Sequence, residues 1–294
     1  MDDLHFITDP NSWKDITPDM YDEINAQIEQ TFDEGCHGQC SSCESGCDSS
    51  NQLPVFAKRM YAVTGGKGGT GKSTVTALLA GALARRGLKV GVLDCDLPCS
   101  AIPQLMGLHD RVLSEENKMS PVVTPEGIEV MSMNLIAEDR AEPVLWAGID
   151  TFNVVNYLYT GTTWGELDVM LLDMPSGAAD VPLNLYTSFP VDGSIIVTEP
   201  GTLPYVATQR TINMTSMLMS RPVAYVENRA LDTLPVSADQ YALPAGCLKL
   251  ALPLDAAIAA GAEEGALASA EVPALAPLVE LIAKAVADKP SREG

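Results

Sequence analysis

The eight residues Gly66-Lys67-Gly68-Gly69-Thr70-Gly71-Lys72-Ser73 constrain this chain more than any other feature. They satisfy the spacing G-x-x-x-x-G-K-S/T, and they stand where that spacing has physical meaning. Before them, Tyr61-Ala62-Val63-Thr64 reads as a short apolar strand. After them, Thr74 to Arg86 reads as a helix with Leu78, Leu79, Ala82 and Leu83 on one side and Gly87 at its end. Glycines at this density let consecutive backbone N–H groups turn inward around phosphate oxygens. The helix N-terminus adds its partial positive charge. Gly66, Gly68, Gly69, Thr70 and Gly71 form the cradle, Lys72 reaches the β- and γ-phosphates, Ser73 offers its hydroxyl to Mg²⁺, and Thr74 meets the α-phosphate. A chance glycine-rich turn is the alternative, and the strand and helix flanks argue against it.

The remainder repeats that alternation. Strands are expected at Lys89 to Leu93, Ile128 to Met133, Leu167 to Leu172, Ser194 to Thr198, Pro222 to Val226 and Cys247 to Leu252. Helical stretches lie between most of them, notably Leu203 to Met219, and an Ala-rich helical end runs from Ala256 to Lys289 with Leu275, Leu278, Ile282 and Val286 as its stripe. The pattern predicts an α/β fold with a mostly parallel sheet covered by helices on both faces. Two acidic clusters close the expected strands: Asp94-Cys95-Asp96 after Leu93, and Asp173-Met174-Pro175-Ser176-Gly177 after Leu172. Ligands of open α/β sheets bind at such carboxyl ends. Asp173 is expected to organise Mg²⁺ with Asp94 assisting, Asp96 to orient and deprotonate the attacking water, and Gly177 to donate its N–H to the γ-phosphate. For each aspartate, a strand-end cap is the plainer alternative.

Residues 1–57 are a separate segment, with twelve acidic residues and one basic residue, Lys14. A helix capped by Thr17, with Met20, Ile24, Ile28 and Phe32 at i,i+4 spacing, leads into Cys36, Cys40, Cys43 and Cys47. Residues 58–294 form the nucleotide-binding domain. Four thiolates spaced Cys-x3-Cys-x2-Cys-x3-Cys suit Zn²⁺ or an iron–sulfur cluster equally by count. The whole chain of 294 residues carries 18 Lys and Arg against 39 Asp and Glu, a net charge of -21. That charge makes nucleic acid and anionic membranes poor partners. No secretory signal and no apolar stretch of membrane-spanning length is evident, so a cytoplasmic setting is expected.

On these residues the chain resembles a known family. Lys67, a second lysine early in the loop, is similar to the deviant phosphate loop of the nitrogenase iron protein and MinD class, where the early lysine crosses a dimer interface to the partner's nucleotide. The runs Val63 to Thr74, Gly91 to Asp96 and Ser100 to Gly107 resemble the Mrp/NBP35 family of iron–sulfur cluster carrier ATPases. So do Trp164-Gly165-Glu166-Leu167-Asp168, Asp173 to Asp180, Val226-Glu227-Asn228 and Pro253-Leu254-Asp255. The resemblance covers about residues 58–287. It implies a homodimeric ATPase that uses ATP and Mg²⁺, holds a 4Fe-4S cluster and passes it to apo-proteins. It also implies that Asn228 contacts adenine and that Cys36, Cys40, Cys43 and Cys47 bind the cluster. Two departures stand out. Arg229-Ala230-Leu231-Asp232-Thr233 occupies the stretch where the family commonly carries a Cys-x-x-Cys pair, and Met174, Ser176, Ala178 and Ala179 replace preferred Leu, Pro, Thr and Gly.

The remaining cysteines admit two readings. Cys95 and Cys99 could build a second metal site across a dimer, or Cys95 is a buried small hydrophobe and Cys99 incidental. Cys247 is expected in the core, and Met131, Met133, Met214, Met217 and Met219 in packing roles. Trp146, Phe152, Tyr157 and Tyr159 belong to a segment near a dimer interface or in the core. Two other functions fit the loop: a MinD/ParA-like regulatory or positioning ATPase, and a metal-insertion ATPase for a metalloenzyme.

Overall fold

A computed structural model describes residues 53–115, 118–137, 149–201, 203–218, 220–230 and 237–289. The expected helix from Thr17, the cysteines at 36, 40, 43 and 47, Trp146 and Met219 lie outside the described residues. In chain order the elements are β1 (Ala57–Thr64), α1 (Lys72–Arg85), β2 (Val90–Asp94), α2 (Ile102–Leu105), β3 (Leu113–Glu115), β4 (Lys118–Ser120), β5 (Val122–Val123) and β6 (Glu129–Met131). There follow α3 (Ile149–Thr160), β7 (Leu167–Asp173), α4 (Asp180–Ser188), β8 (Gly193–Thr198), α5 (Tyr205–Met217), β9 (Pro222–Ala230), β10 (Leu248–Pro253), α6 (Ala256–Glu264) and α7 (Ala276–Ala287).

Eight strands form one sheet in the order β10-β9-β8-β1-β7-β2-β6-β5. Every pairing is parallel except that of β5 with β6. β3 and β4 form a separate antiparallel hairpin. The sheet is therefore mixed, and the antiparallel edge and hairpin are additions to the expected architecture. These strands are two or three residues long, too short to show a period in sequence. The central strands are buried along their length: β2 and β8 entirely, β7 at all but one residue. Both faces of a parallel sheet are covered, which is why these strands read as unbroken apolar runs.

α1 carries the phosphate loop's helix into the core. Leu78, Leu79, Ala80 and Leu83 are at most 1% exposed. At Gly81 a Cβ would lie 1.9 Å from the Ala268 carbonyl oxygen, so glycine permits backbone-to-backbone approach there. The helix ends as Gly87 enters the left-handed region at φ 88°, with Leu88 N–H donating to Leu83 O and Gly87 N–H to Ala84 O.

The Ala-rich end is helical and divides into two helices. Gly265 adopts φ 70° and terminates α6, and α7 begins after Pro273. Leu275, Leu278, Ile282 and Val286 are buried, as their spacing predicts. Tyr159 is buried against Phe56 and Phe189, each at a ring-centroid distance of 4.9 Å, which places it in the core.

Candidate functional site

Parallel pairing brings the ends of five strands to one edge. Val63 is in register with Asp173, Asp173 with Asp94, and Thr198 with Glu227. The phosphate loop leaves β1 at this edge, between the strands that end in the two aspartates and those that lead to Asn228. The sheet thus assembles residues more than 150 positions apart.

The loop enters α1 through Gly71 at φ 84°, and no side chain caps the helix. Its first-turn N–H donors are left for a ligand. No acidic residue stands in that first turn. Gly69 also adopts a positive φ, 82°. Two of the glycines are places of close approach. A Cβ on Gly66 would lie 2.3 Å from the backbone of Ala207 and Thr208 in α5, and one on Gly71 would lie 2.2 Å from Asn228 Nδ2. Lys72 is buried at 6% exposure, Ser73 and Thr74 are half-buried, and Lys67 and Gly68 face solvent.

Asp94 and Asp173 are both fully buried. Asp94 Oδ2 accepts from Ser100 Oγ at 2.7 Å and Ser132 Oγ at 3.1 Å, and Oδ1 accepts from the Asp96 N–H at 3.2 Å. Asp173 Oδ1 accepts from Thr76 Oγ1 at 3.0 Å, while Oδ2 has no hydrogen-bond partner among the described residues. Burial pushes both carboxyls up, and the Asp94 charge raises Asp173 further. The hydroxyls of Ser73 and Thr76 and the Lys72 ammonium act in the opposite sense on Asp173. Asp96 is half-buried and raised mainly by desolvation, with Lys72 opposing.

This donor set fits a hydrated divalent cation. An orphaned buried carboxylate oxygen lies beside a serine hydroxyl at the mouth of an uncapped helix, which matches the hard-oxygen, partly aqueous shell that Mg²⁺ takes. Magnesium would be held there by Ser73 and Asp173, with Asp94 behind them.

Two groups expected to meet a ligand also bond within the protein. The Gly177 N–H donates to Gly65 O at 2.9 Å, so reaching a γ-phosphate requires that bond to open. Asn228 Nδ2 donates to Thr70 O at 3.0 Å, which makes Asn228 a support of the phosphate loop in this structure. Cys95 is fully buried with its Sγ donating to Leu93 O, and burial holds its thiol well above the ordinary range; Cys99 is exposed. Among the described residues no group of three or more His, Cys, Asp or Glu side chains could hold a metal ion. Cys247 is half-buried at the margin of the cluster of Ile196, Ile212, Tyr225, Ala238 and Tyr241 rather than in the deep core. Met217 is 82% exposed and so does not pack among the described residues.

Sequence reading missed Ser100, Ser132 and Thr76, whose hydroxyls hold the two buried carboxylates. Ser132 follows β6 at the same sheet edge, and the carboxyl-end rule would have found it. Thr76 lies four residues after Lys72, on the same helix face.

Residues 57–244 match the family described as ParA, NUBPL iron-transfer P-loop NTPase. An iron–sulfur cluster carrier protein of Methanococcus maripaludis is 34% identical over 210 residues, covering 66% of this chain and 73% of the relative. One from Clostridium perfringens is 35% identical over 217 residues, covering 66% and 76%. Among solved structures, a nucleotide-binding protein of Archaeoglobus fulgidus in complex with ADP aligns with a TM-score of 0.63 at 29% identity, over 74% of this chain and 90% of that one. The cell division ATPase MinD of Pyrococcus furiosus aligns with a TM-score of 0.60 at 24% identity, over 77% and 99%, and shares the fold.

Proposed function

The chain belongs to the NUBPL-type iron-transfer P-loop NTPases, an Mrp/NBP35-like family of the ParA/MinD class, and from that premise we propose that it carries an iron–sulfur cluster and delivers it to apo-proteins under the control of ATP. The observation that carries this reading is the family match across residues 57–244, centred on a loop and a pair of buried aspartates that suit Mg²⁺ and a triphosphate. The chain is an ATP-hydrolysing P-loop enzyme.

In this proposal the phosphate loop from Gly66 to Thr74 binds the phosphates, and Lys72 neutralises their charge from a buried position. Magnesium, once bound, supplies the positive charge that lets phosphates and carboxylates share the site. Ser73 and Asp173 orient toward it, and the hydroxyls of Ser100 and Ser132 fix Asp94 behind them. Asp96 orients the attacking water and accepts its proton. Lys67, exposed on the loop, reaches the nucleotide of a second copy in a homodimer. A 4Fe-4S cluster, as cargo, is held by Cys36, Cys40, Cys43 and Cys47, in a cytoplasmic protein. Among the described residues no helix is long and apolar enough to cross a membrane.

The test is anaerobic quantification of iron, sulfide and zinc on purified protein, for the wild type and a Cys40→Ser/Cys43→Ser double variant. About four irons and four sulfides per chain, lost in the variant, is the expected result. A wild type with one zinc or no metal, after anaerobic reconstitution with iron and sulfide, sinks the cluster assignment.

A further inference from the structure

Among the described residues, Arg229 in β9 is the one residue other than glycine with a positive φ, 57°. A side chain in that region crowds its own backbone, and such conformations persist where the surroundings enforce them. Here β9 carries one residue more than β10 between Glu227 and Ala230, a bulge that sets the backbone, and the side chain has identifiable partners. The half-exposed guanidinium donates through Nη1 to Gly69 O at 3.0 Å and to the carboxylate of Glu199, which lies just beyond β8. One residue earlier, Asn228 Nδ2 holds Thr70 O. Adjacent residues of β9 therefore hold adjacent carbonyls of the phosphate loop.

Peptide geometry turns this into a statement about donors. In a trans peptide the C=O of one residue and the N–H of the next point in opposite directions. No peptide among the described residues is cis. Drawing Gly69 C=O to Arg229 therefore turns the Thr70 N–H away from Arg229, and drawing Thr70 C=O to Asn228 turns the Gly71 N–H away from Asn228. Gly69 and Gly71 have the conformational freedom to point these groups elsewhere. A Cβ built on Gly69 meets nothing within 4 Å, so close packing does not fix that turn on its Cβ side.

We propose that Arg229, anchored by Glu199, is a positioning residue for the nucleotide phosphates: it orients the Gly69–Thr70 peptide so that the Thr70 N–H faces the ligand. Arg229 touches a loop carbonyl, not the phosphate. The proposal rests on the reading of this loop as the ATP site. It gives Glu199 a role as well, because an arginine that is half exposed would otherwise be drawn into solvent or onto the phosphates.

The experiment is calorimetric titration of Mg-ADP into the full chain, with steady-state ATPase kinetics and nucleotide-free melting measured in parallel. The variants are Arg229→Gly, Arg229→Lys, Glu199→Gln and, as reference, Lys72→Ala. Arg229→Gly removes the guanidinium and relieves the φ strain together. Its nucleotide-free melting midpoint is expected to stay level or rise, while ADP affinity falls about tenfold, the worth of one charge-assisted hydrogen bond. The KM for ATP is expected to rise by a similar factor, with kcat changed less than about threefold. Arg229→Lys restores part of the affinity, and Glu199→Gln loses about threefold. Two results overturn the proposal: Arg229→Gly binding ADP as the wild type does, or losing affinity only together with a lowered nucleotide-free midpoint. A wild type that fails to bind ADP, or a Lys72→Ala variant that binds it undiminished, overturns the ATP-site reading and this inference with it.

Discussion

Two fully buried aspartates facing each other across β2 and β7 are unfavourable for the nucleotide-free fold, and replacing one of them tests by how much. Asp173 is the better choice, because its Oδ2 has no hydrogen-bond partner among the described residues, whereas Asp94 is held by two hydroxyls. Burial and the Asp94 charge raise the Asp173 carboxyl from 3.8 to about 7. A raised carboxyl pKa means that the folded chain binds more protons than the unfolded chain between those values. Stability contributed by holding that proton is therefore lost as pH rises from 3.8 toward about 7, and above that the fold carries the full cost of the buried charge. Each tenfold change in proton affinity is worth about 1.4 kcal/mol, so about 4 kcal/mol is the ceiling; one proton shared with Asp94 and local relaxation bring the expectation to about 2 kcal/mol.

The assay is urea unfolding of wild type and Asp173→Asn at pH 5 and pH 8, with EDTA and without nucleotide. Other carboxylates and the net charge of -21 also contribute across this range, so the quantity to read is the difference between the two proteins. Asp173→Asn should be the more stable at pH 8 by about 2 kcal/mol, with a smaller gap at pH 5. Adding Mg-ADP should stabilise the wild type and do little for the variant, reversing the order. A gap independent of pH, or a variant less stable at pH 8, would refute the reasoning.

Other substitutions probe neighbouring features of the fold and the site. Gly81→Ala raises helix propensity but sets a Cβ 1.9 Å from Ala268 O, so a loss on the order of 1–3 kcal/mol is expected in chemical denaturation; a stabilised variant would contradict the packing. Asp96→Asn should leave ATP binding intact while lowering kcat by about 10²–10⁴, and an unchanged kcat removes Asp96 as the base. Lys67→Ala should lose hydrolysis yet bind ADP normally. Mixing Lys67→Ala with Asp96→Asn decides whether Lys67 acts across the dimer, because each mixed dimer would then contain one complete site. Recovered activity in the mixture supports action in trans, and none places Lys67 in its own site.

How much of this was legible in the sequence depends on the range of the forces involved. The phosphate loop, β1 and α1 are local: glycine freedom, a buried strand and an amphipathic helix all lie within about 30 residues. Asp94, Asp96 and Asp173 were visible because each ends an apolar run, and the register of parallel strands then carries them to one edge. Ser100, Ser132 and Thr76 hold those carboxylates but end no conspicuous run, and serine and threonine are common wherever a loop needs a donor. Asn228 shows the boundary clearly. Its Nδ2 donates to Thr70 O at 3.0 Å, a contact set by the sheet order that puts β9 two strands from β1 and that no local pattern announces. The short strands β3, β4 and β5 were beyond reach for a different reason, since two or three residues carry no period.

A backbone bond within the site also distinguishes its fixed side from its permissive one. Gly177 donates to Gly65 O, and Gly65 itself is fixed, since a Cβ there would lie 2.4 Å from Val197 O in β8. Gly177 has no such constraint: its φ is 90°, and a Cβ on it meets nothing closer than 4.0 Å. With the acceptor held against β8 and the donor on a permissive glycine, a γ-phosphate that took the Gly177 N–H, as proposed, would displace the loop after β7 and leave the phosphate loop in place. That loop runs directly into α4, whose first turn begins at the exposed Asp180 and which carries Leu183, 41% exposed. Gly177 to Leu183 is a stretch of seven residues, and it lies on the side of the site opposite the Arg229–Glu199 pair.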